Sequence, residues 1–313
     1  MLWYVAQLTC RFAAYTQDHD FLASMGESIS RAMVWLEAHD SNNCGLLEIP
    51  ESSDWMDLFP RSYNVLYDEV LWYQACQDMA VAMDVLGKQE RAVHYNRLTE
   101  RVRSKILRQF WPTANKLPDA IPTFAETQFT IGNAQYLLAQ ISPFDFSWRC
   151  DVYANLLAAL VGLLNERRMD QLFQFLWGVG INSPYPVKCL YPAIQSGASD
   201  WRNYIITNLL NLPEHYHNGG IWPFIGGLWV RFLAHTGRTE LANQELIRLA
   251  EACRQGIYDK WEFNEWLHGQ TGRPMGKAHQ AWSAAAYIAA YQAVHQETVP
   301  VDFEPLTVEM FTK

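Results

Sequence analysis

The chain has 313 residues, half of them hydrophobic and only 18% charged, with 24 basic against 33 acidic residues and a net charge of −9. No Lys/Arg cluster is present, which argues against a nucleic-acid partner and favours a neutral, polyhydroxylated one. No stretch approaches the roughly eighteen apolar residues of a membrane span. Six cysteines, at positions 10, 44, 76, 150, 189 and 253, show no close pairing and no C-x-x-C. Neither a metal centre nor a disulfide framework is therefore expected, and the thiols read as reduced, with a cytoplasmic location.

The first segment, Met1-Leu2-Trp3-Tyr4, has no basic lead, and Gln7 and Arg11 break its apolar run, so it reads as a helix and not as a signal peptide. Helical periodicity continues over about 2–16, 20–38, 64–86, 89–109, 130–140, 150–166, 168–178, 220–236, 239–255 and 278–296. Corners at about 17–19, 87–88 and 237–239 are short. In Thr236-Gly237-Arg238-Thr239 a glycine stop is followed by a threonine suited to capping the next helix. Connections at 39–63, 110–129, 179–219 and 257–277 are long and rich in Pro, Gly and aromatics. Helix hairpins alternating with long loops predict an all-α solenoid or its closed form, a toroid, with the long loops gathered at one end. No linker divides the chain, so residues 1–313 are expected to form one domain. The alanine-rich segment 278–296 suits a tightly packed inner helix.

Two of the long loops mix carboxylates with indoles. One runs Glu51-Ser52-Ser53-Asp54-Trp55-Met56-Asp57-Leu58-Phe59-Pro60-Arg61, and the other Trp261-Glu262-Phe263-Asn264-Glu265-Trp266-Leu267-His268-Gly269. Acids beside flat apolar rings suit sugar chemistry, in which one carboxyl protonates the leaving oxygen while another activates water. Thirteen tryptophans point the same way, towards an aromatic-lined cleft. If the first stretch is helical, Asp54 and Asp57 lie one turn apart, and like charges that close raise one pKa, as a general acid requires. Arg61 would hold a carboxylate or a sugar hydroxyl. In the second loop Glu262 and Glu265 compete for the role of base.

A further loop carries Trp201 and then Glu214-His215-Tyr216-His217-Asn218-Gly219-Gly220-Ile221-Trp222-Pro223. Glu214, His215 and His217 lack a distant third ligand for zinc, so hydroxyl binding with Trp222 as a stacking platform is the better reading.

These blocks resemble the inverting (α/α)6-barrel glycosidases: neutral invertases, family 63 α-glucosidases with the related trehalases, and the glucosidase domain of glycogen-debranching enzymes. Ser53-Asp54-Trp55-Met56-Asp57 with Arg61 looks like the catalytic-acid block. Tyr216 to Pro223 resembles the block that opens a barrel helix. Phe263-Asn264-Glu265, with Thr271-Gly272, Gly276-Lys277 and Gln280-Ala281-Trp282, looks like the catalytic-base block. The resemblance spans about residues 40–296. It implies Asp57 as general acid and Glu265 as general base, with inversion at an α-linked, glucosyl-type bond of a small saccharide or glycoside. It further implies substrate contacts from Asp54, Trp55, Arg61, Trp201, Tyr216, His217, Asn218, Gly219, Trp222, Glu262, Trp266, Lys277, Gln280 and Trp282, with no cofactor. The invertases follow their acid with a basic pair and Met-Gly, whereas Leu58-Phe59-Pro60-Arg61 stands here, a departure that weakens an assignment to sucrose. The family also places helices before its acid loop, so about ten helices here predict a toroid incomplete at its N-terminal side. The contrasting expectation is a catalytically impaired carbohydrate-binding or scaffold protein on the same fold. Either is compatible with a homo-oligomer.

Overall fold

The computed structural model describes residues 2–112, 134–296 and 303–311. Helices α1 (Leu2–Thr16), α2 (His19–Glu37), α3 (Leu66–Val85), α4 (Gln89–Gln109), α5 (Val152–Leu160), α6 (Glu166–Gly178), α7 (Pro223–His235), α8 (Thr239–Arg254) and α9 (Ala281–Val294) follow in chain order. Successive helices pack as hairpins, α1 on α2, α3 on α4 and α7 on α8. The odd-numbered helices also pack on one another in the succession α1–α3–α5–α7–α9, which makes them the inner ring of a toroid.

Composition explains the layering. Helix α3 is buried on nearly every side and α5 and α7 are almost wholly apolar, as an inner helix enclosed by neighbours must be. Helix α4 buries a single stripe, Ala92, Tyr95, Thr99, Val102 and Ile106, and turns its charges outward. Asp18, Asp151 and Asn165 cap α2, α5 and α6 by accepting from backbone N–H groups of the first turn.

The structure corrects several expectations. Most of the loop expected at 110–129 and the start of the helix expected at 130–140 lie outside the described residues. Residues 134–139 form no helix: Leu138 N–H donates to Phe110 O and Ala139 N–H to Ser147 O, as in an extended segment. The helix expected over 150–166 stops at Leu160, because Gly162 takes a left-handed φ of +79°. Arg238, not Thr239, occupies the cap position of α8, without a side-chain capping bond. Gly237 is the stop expected of it, at φ +74°. Helix α9 is inner on one side only. Gly227 of α7 meets Ala286 so closely that an added Cβ would lie 2.7 Å from the Ala286 carbonyl oxygen, whereas Trp282, Ile288 and Tyr291 are exposed.

Strands are two residues each. β1 (Asn64–Val65), β2 (Gln140–Ile141) and β3 (Phe146–Ser147) form an antiparallel sheet; β4 (Cys150–Asp151) pairs with β5 (Leu190–Tyr191), and β6 (Trp266–Leu267) with β7 (Pro274–Met275). All pin the long loops at the N-terminal ends of the inner helices. At the opposite end, Arg11 of α1 forms a buried ion pair with Asp78 of α3 at 2.8 Å. All six cysteines are free thiols. Among the described residues no helix is long and apolar enough to cross a membrane.

Candidate active site

Asp57 stands on the loop that precedes β1 and α3. Its carboxylate is 62% exposed and accepts from His217 Nε2 at 3.1 Å and from the Tyr216 hydroxyl at 3.3 Å. The buried His217 has no partner at Nδ1. A ring carrying its proton on Nε2 satisfies Asp57 and leaves only an acceptor unpaired, which costs less than stranding an N–H. The His217 ring lies parallel to Trp222, 2° from coplanar with centroids 5.2 Å apart.

The hydrogen bond from His217, with a smaller contribution from Tyr216, holds the Asp57 carboxyl below its usual range. This reverses the expectation of a pKa raised by Asp54. The Asp54 carboxylate is buried and accepts from Met56 N–H at 2.6 Å and Arg61 Nε at 2.6 Å. Arg61, also buried, reaches Asp151, the cap of α5. Burial opposes the Arg61 charge, but Asp54 and Asp151 outweigh it and raise its pKa. Arg61 therefore ties the acid loop to the next inner helix through Nε and Nη1, while its buried Nη2 has no partner.

Glu265 opens the β6–β7 hairpin. Its backbone N–H donates to Lys277 O at 2.8 Å, and its Oε2 accepts from Lys277 N–H at 3.2 Å. Gly276, at φ +69°, lies against it: an added Cβ would come within 2.6 Å of Glu265 Oε2. Only glycine combines that backbone and that approach. The Tyr216 phenol lies in the field of both acids. Burial raises its pKa first, and the charges of Asp57 and then Glu265 raise it further. The structure thus gathers Asp57, Tyr216, His217 and Glu265 at one mouth of the ring.

Other expected residues have structural engagements. Glu262 accepts from the backbone N–H groups of Asp259, Ile257 and Tyr258 at 2.8–2.9 Å, which lowers its pKa and uses it to organise its own loop. Asn218 is buried between Ile194 and Asn211, bonded to the backbone of both. Gly219, at φ +90°, approaches Ala193. Trp222 is 2% exposed, its indole N–H donating to Tyr216 O, so its face serves His217 and offers no platform. Trp266 is buried beside Tyr216 and His215, and Trp55 packs edge-on against Trp222, His217, Tyr153 and Phe224. Trp282 remains half-exposed, 6.0 Å from the Phe224 ring, and Lys277 is exposed. Gln280 stands at the cap of α9, its N–H donating to Phe263 O, while Trp201 bonds Asn203 on a separate loop.

Tyr153, Phe224 and Asp151 carry no sequence signal for the site. Tyr153 and Phe224 sit in the first turn of an inner helix, where apolar periodicity marks them as core, and Asp151 reads only as a cap of α5. Leu58, Tyr216 and Phe263 hold φ of +55°, +42° and +48°. Such backbone costs about 1–3 kcal/mol per residue and concentrates at functional loops. Of the residues weighed for zinc, His217 serves Asp57, His215 faces His268, and Glu214 pairs with Lys188 at 3.0 Å.

The profile of the family described as alkaline and neutral invertase matches residues 72–297. Alkaline/neutral invertase E, chloroplastic, of Arabidopsis thaliana is 30% identical over 184 residues, 56% of this chain and 28% of that protein. Neutral/alkaline invertase 1, mitochondrial, of Oryza sativa subsp. japonica shows the same identity and coverage. The chain thus spans less than a third of the length of these two relatives. Among solved structures, a GH63 mannosylglycerate hydrolase from Thermus thermophilus in complex with Tris and D-glycerate superposes with a TM-score of 0.65 at 14% identity, covering 93% of this chain and 77% of that one. That likeness establishes the toroid fold alone.

Proposed function

Since the chain belongs to the alkaline and neutral invertase family of glycoside hydrolases, we propose that it cleaves an α-linked glucosyl bond of a small saccharide with inversion, Asp57 acting as general acid and Glu265 as general base. The observation that carries this reading is the Tyr216 phenol, bonded to Asp57 and within the field of Glu265. Two carboxyl groups facing one cleft at a separation of about 6.5–9.5 Å leave room for the attacking water of an inverting glycosidase.

In the free protein His217 keeps Asp57 ionised. A saccharide seated over that exposed carboxylate removes its water, and desolvation raises its pKa towards the protonated state an acid needs. Asp57 then gives its proton to the glycosidic oxygen as the C–O bond breaks. Glu265 takes a proton from the water, whose oxygen forms the new bond to the anomeric carbon on the opposite face. Tyr216 orients Asp57 between these events, and Trp282 with Phe224 offers the exposed apolar face on which a pyranose packs.

A second reading, saccharide binding without turnover, draws on the same half-exposed Trp282 and on the solvent access to Asp57. One experiment separates the two. The protein is incubated with sucrose, trehalose, isomaltose and glucosylglycerate while the anomeric proton is followed by NMR. Immediate release of β-glucose, abolished in Asp57→Asn and in Glu265→Gln with the fold intact, is the expected result. Release of α-glucose from sucrose or glucosylglycerate, whose aglycones are not glucose, overturns the inverting mechanism. Binding without release selects the second reading.

A further inference from the structure

A cavity of about 130 Å³ is walled in part by the acid loop, and neither Asp57 nor Glu265 is among its lining residues. Its walls come from three segments distant in sequence: the acid loop through Arg61, the β2–β3 hairpin through Gln140 and Ser147, and the 190–202 loop through Asp200 and Arg202. Trp148, half-exposed with the Arg149 guanidinium 5.0 Å over its ring, forms one side. The volume is many times that of a single water site and suits a molecule of about three to six carbons.

We propose that this cavity is a second binding site, separate from the acid pair, for a neutral polyhydroxylated molecule of monosaccharide size or smaller. Charge decides against an anion. Glu51, Asp145 and Asp200 stand in the wall against Arg61 and Arg202. Asp54 and Asp151 already engage Arg61 Nε and Nη1, leaving only its Nη2 as a neutralised donor for a hydroxyl, and Asp200 is bonded by Arg149. A phosphate or carboxylate would meet more carboxylate than free positive charge. An apolar ligand would strand the wall's charged and amide groups without water. Hydroxyls, which both donate and accept, match Gln140, Ser147 and the carboxylates, and the indole of Trp148 matches the C–H face of a sugar. Arg61 is common to the cavity wall and to the Asp54 contact that shapes the acid loop, so occupancy bears on the loop that carries Asp57.

The test does not depend on turnover. The indole N–H signals of uniformly 15N-labelled protein are followed while D-glucose, D-fructose or glycerol is added, with the Trp148 signal assigned by Trp148→Phe. The expected result is a saturable shift of the Trp148 signal by at least one of the three. That shift should persist in Glu265→Gln and weaken about tenfold in Gln140→Ala and Arg202→Ala, the loss of roughly one hydrogen bond each. Glucose 6-phosphate should shift the signal less than glucose does. A shift confined to Trp266 and Trp282, no shift at any indole, or a Trp148 shift unchanged in both wall variants overturns the proposal. Failure of the hydrolase reading shows instead in the anomeric NMR experiment and leaves the Trp148 titration intact.

Discussion

The acid loop and the base loop hold their carboxylates by different means. Asp57 is exposed and oriented by side chains, His217 and Tyr216, that arrive from about 160 residues away in sequence. Glu265 is positioned within its own hairpin, by the backbone of Lys277 and the close approach of Gly276 twelve and eleven residues on. A carboxylate held by a histidine and a phenol has a tunable pKa. One held by backbone has a fixed place. The first suits a group that must change protonation during binding, and the second suits one that must fix a water.

The comparison breaks most severely at Arg61. Arg61→Met leaves Asp54 and Asp151 buried without their partner, and the expected loss is about 3–5 kcal/mol of stability, read by denaturant unfolding. A loss below about 1 kcal/mol would show that the ties of the acid loop lie elsewhere. Gly276→Ala strikes the base loop alone. Its Cβ forces Glu265 aside and lowers kcat/KM about a hundredfold in the glucoside assay, with the far-UV spectrum unchanged. Activity like that of the parent would mean that Glu265 is not held where the hairpin sets it.

His217→Phe sharpens the contrast in pH. His217 lowers the Asp57 pKa, so its removal raises that pKa, and the limb of the kcat/KM profile that Asp57 sets should move to higher pH. A profile that does not move in pH would detach the pH dependence from Asp57. Smallest on turnover is Glu262→Gln. Its carboxylate serves the 257–259 turn, so Tm falls while kcat of the folded protein is kept. A kcat collapse there, with Glu265→Gln mild, would exchange the two roles.

Much of the architecture is legible in the unfolded chain. Apolar periodicity locates most helices to within a few residues, because inner and outer helices bury different fractions of their circumference. The Gly237 corner is legible from a glycine stop. The segment 150–166 misleads because one Gly162 outweighs a run of helix-forming residues around it. Trp222 and Trp266 are expected in the cleft, yet an indole in a glycine-rich loop packs inward as readily as outward, and only the neighbouring His217 and Tyr216 rings decide which. Glu262 and Glu265 are three residues apart and of identical chemistry. Nothing local separates a carboxylate that meets three backbone N–H groups from one that faces a cleft.

Composition and periodicity were sufficient for an array of helix hairpins, open solenoid or closed toroid, for a polar and aromatic end built from long loops, and for a short set of acids within it, since these depend on local spacing and on where apolar surface must go. The tertiary structure alone decided that Asp57 is drawn down in pKa by His217, that Arg61 bridges Asp54 to Asp151, and that a cavity opens between the acid loop, the β2–β3 hairpin and the 190–202 loop. Each depends on side chains brought together from distant segments, or on space enclosed between three separate loops. Hydrogen bonds and cavities of that kind have no signature in the order of residues along one segment, because their energy is set by distance in the folded chain.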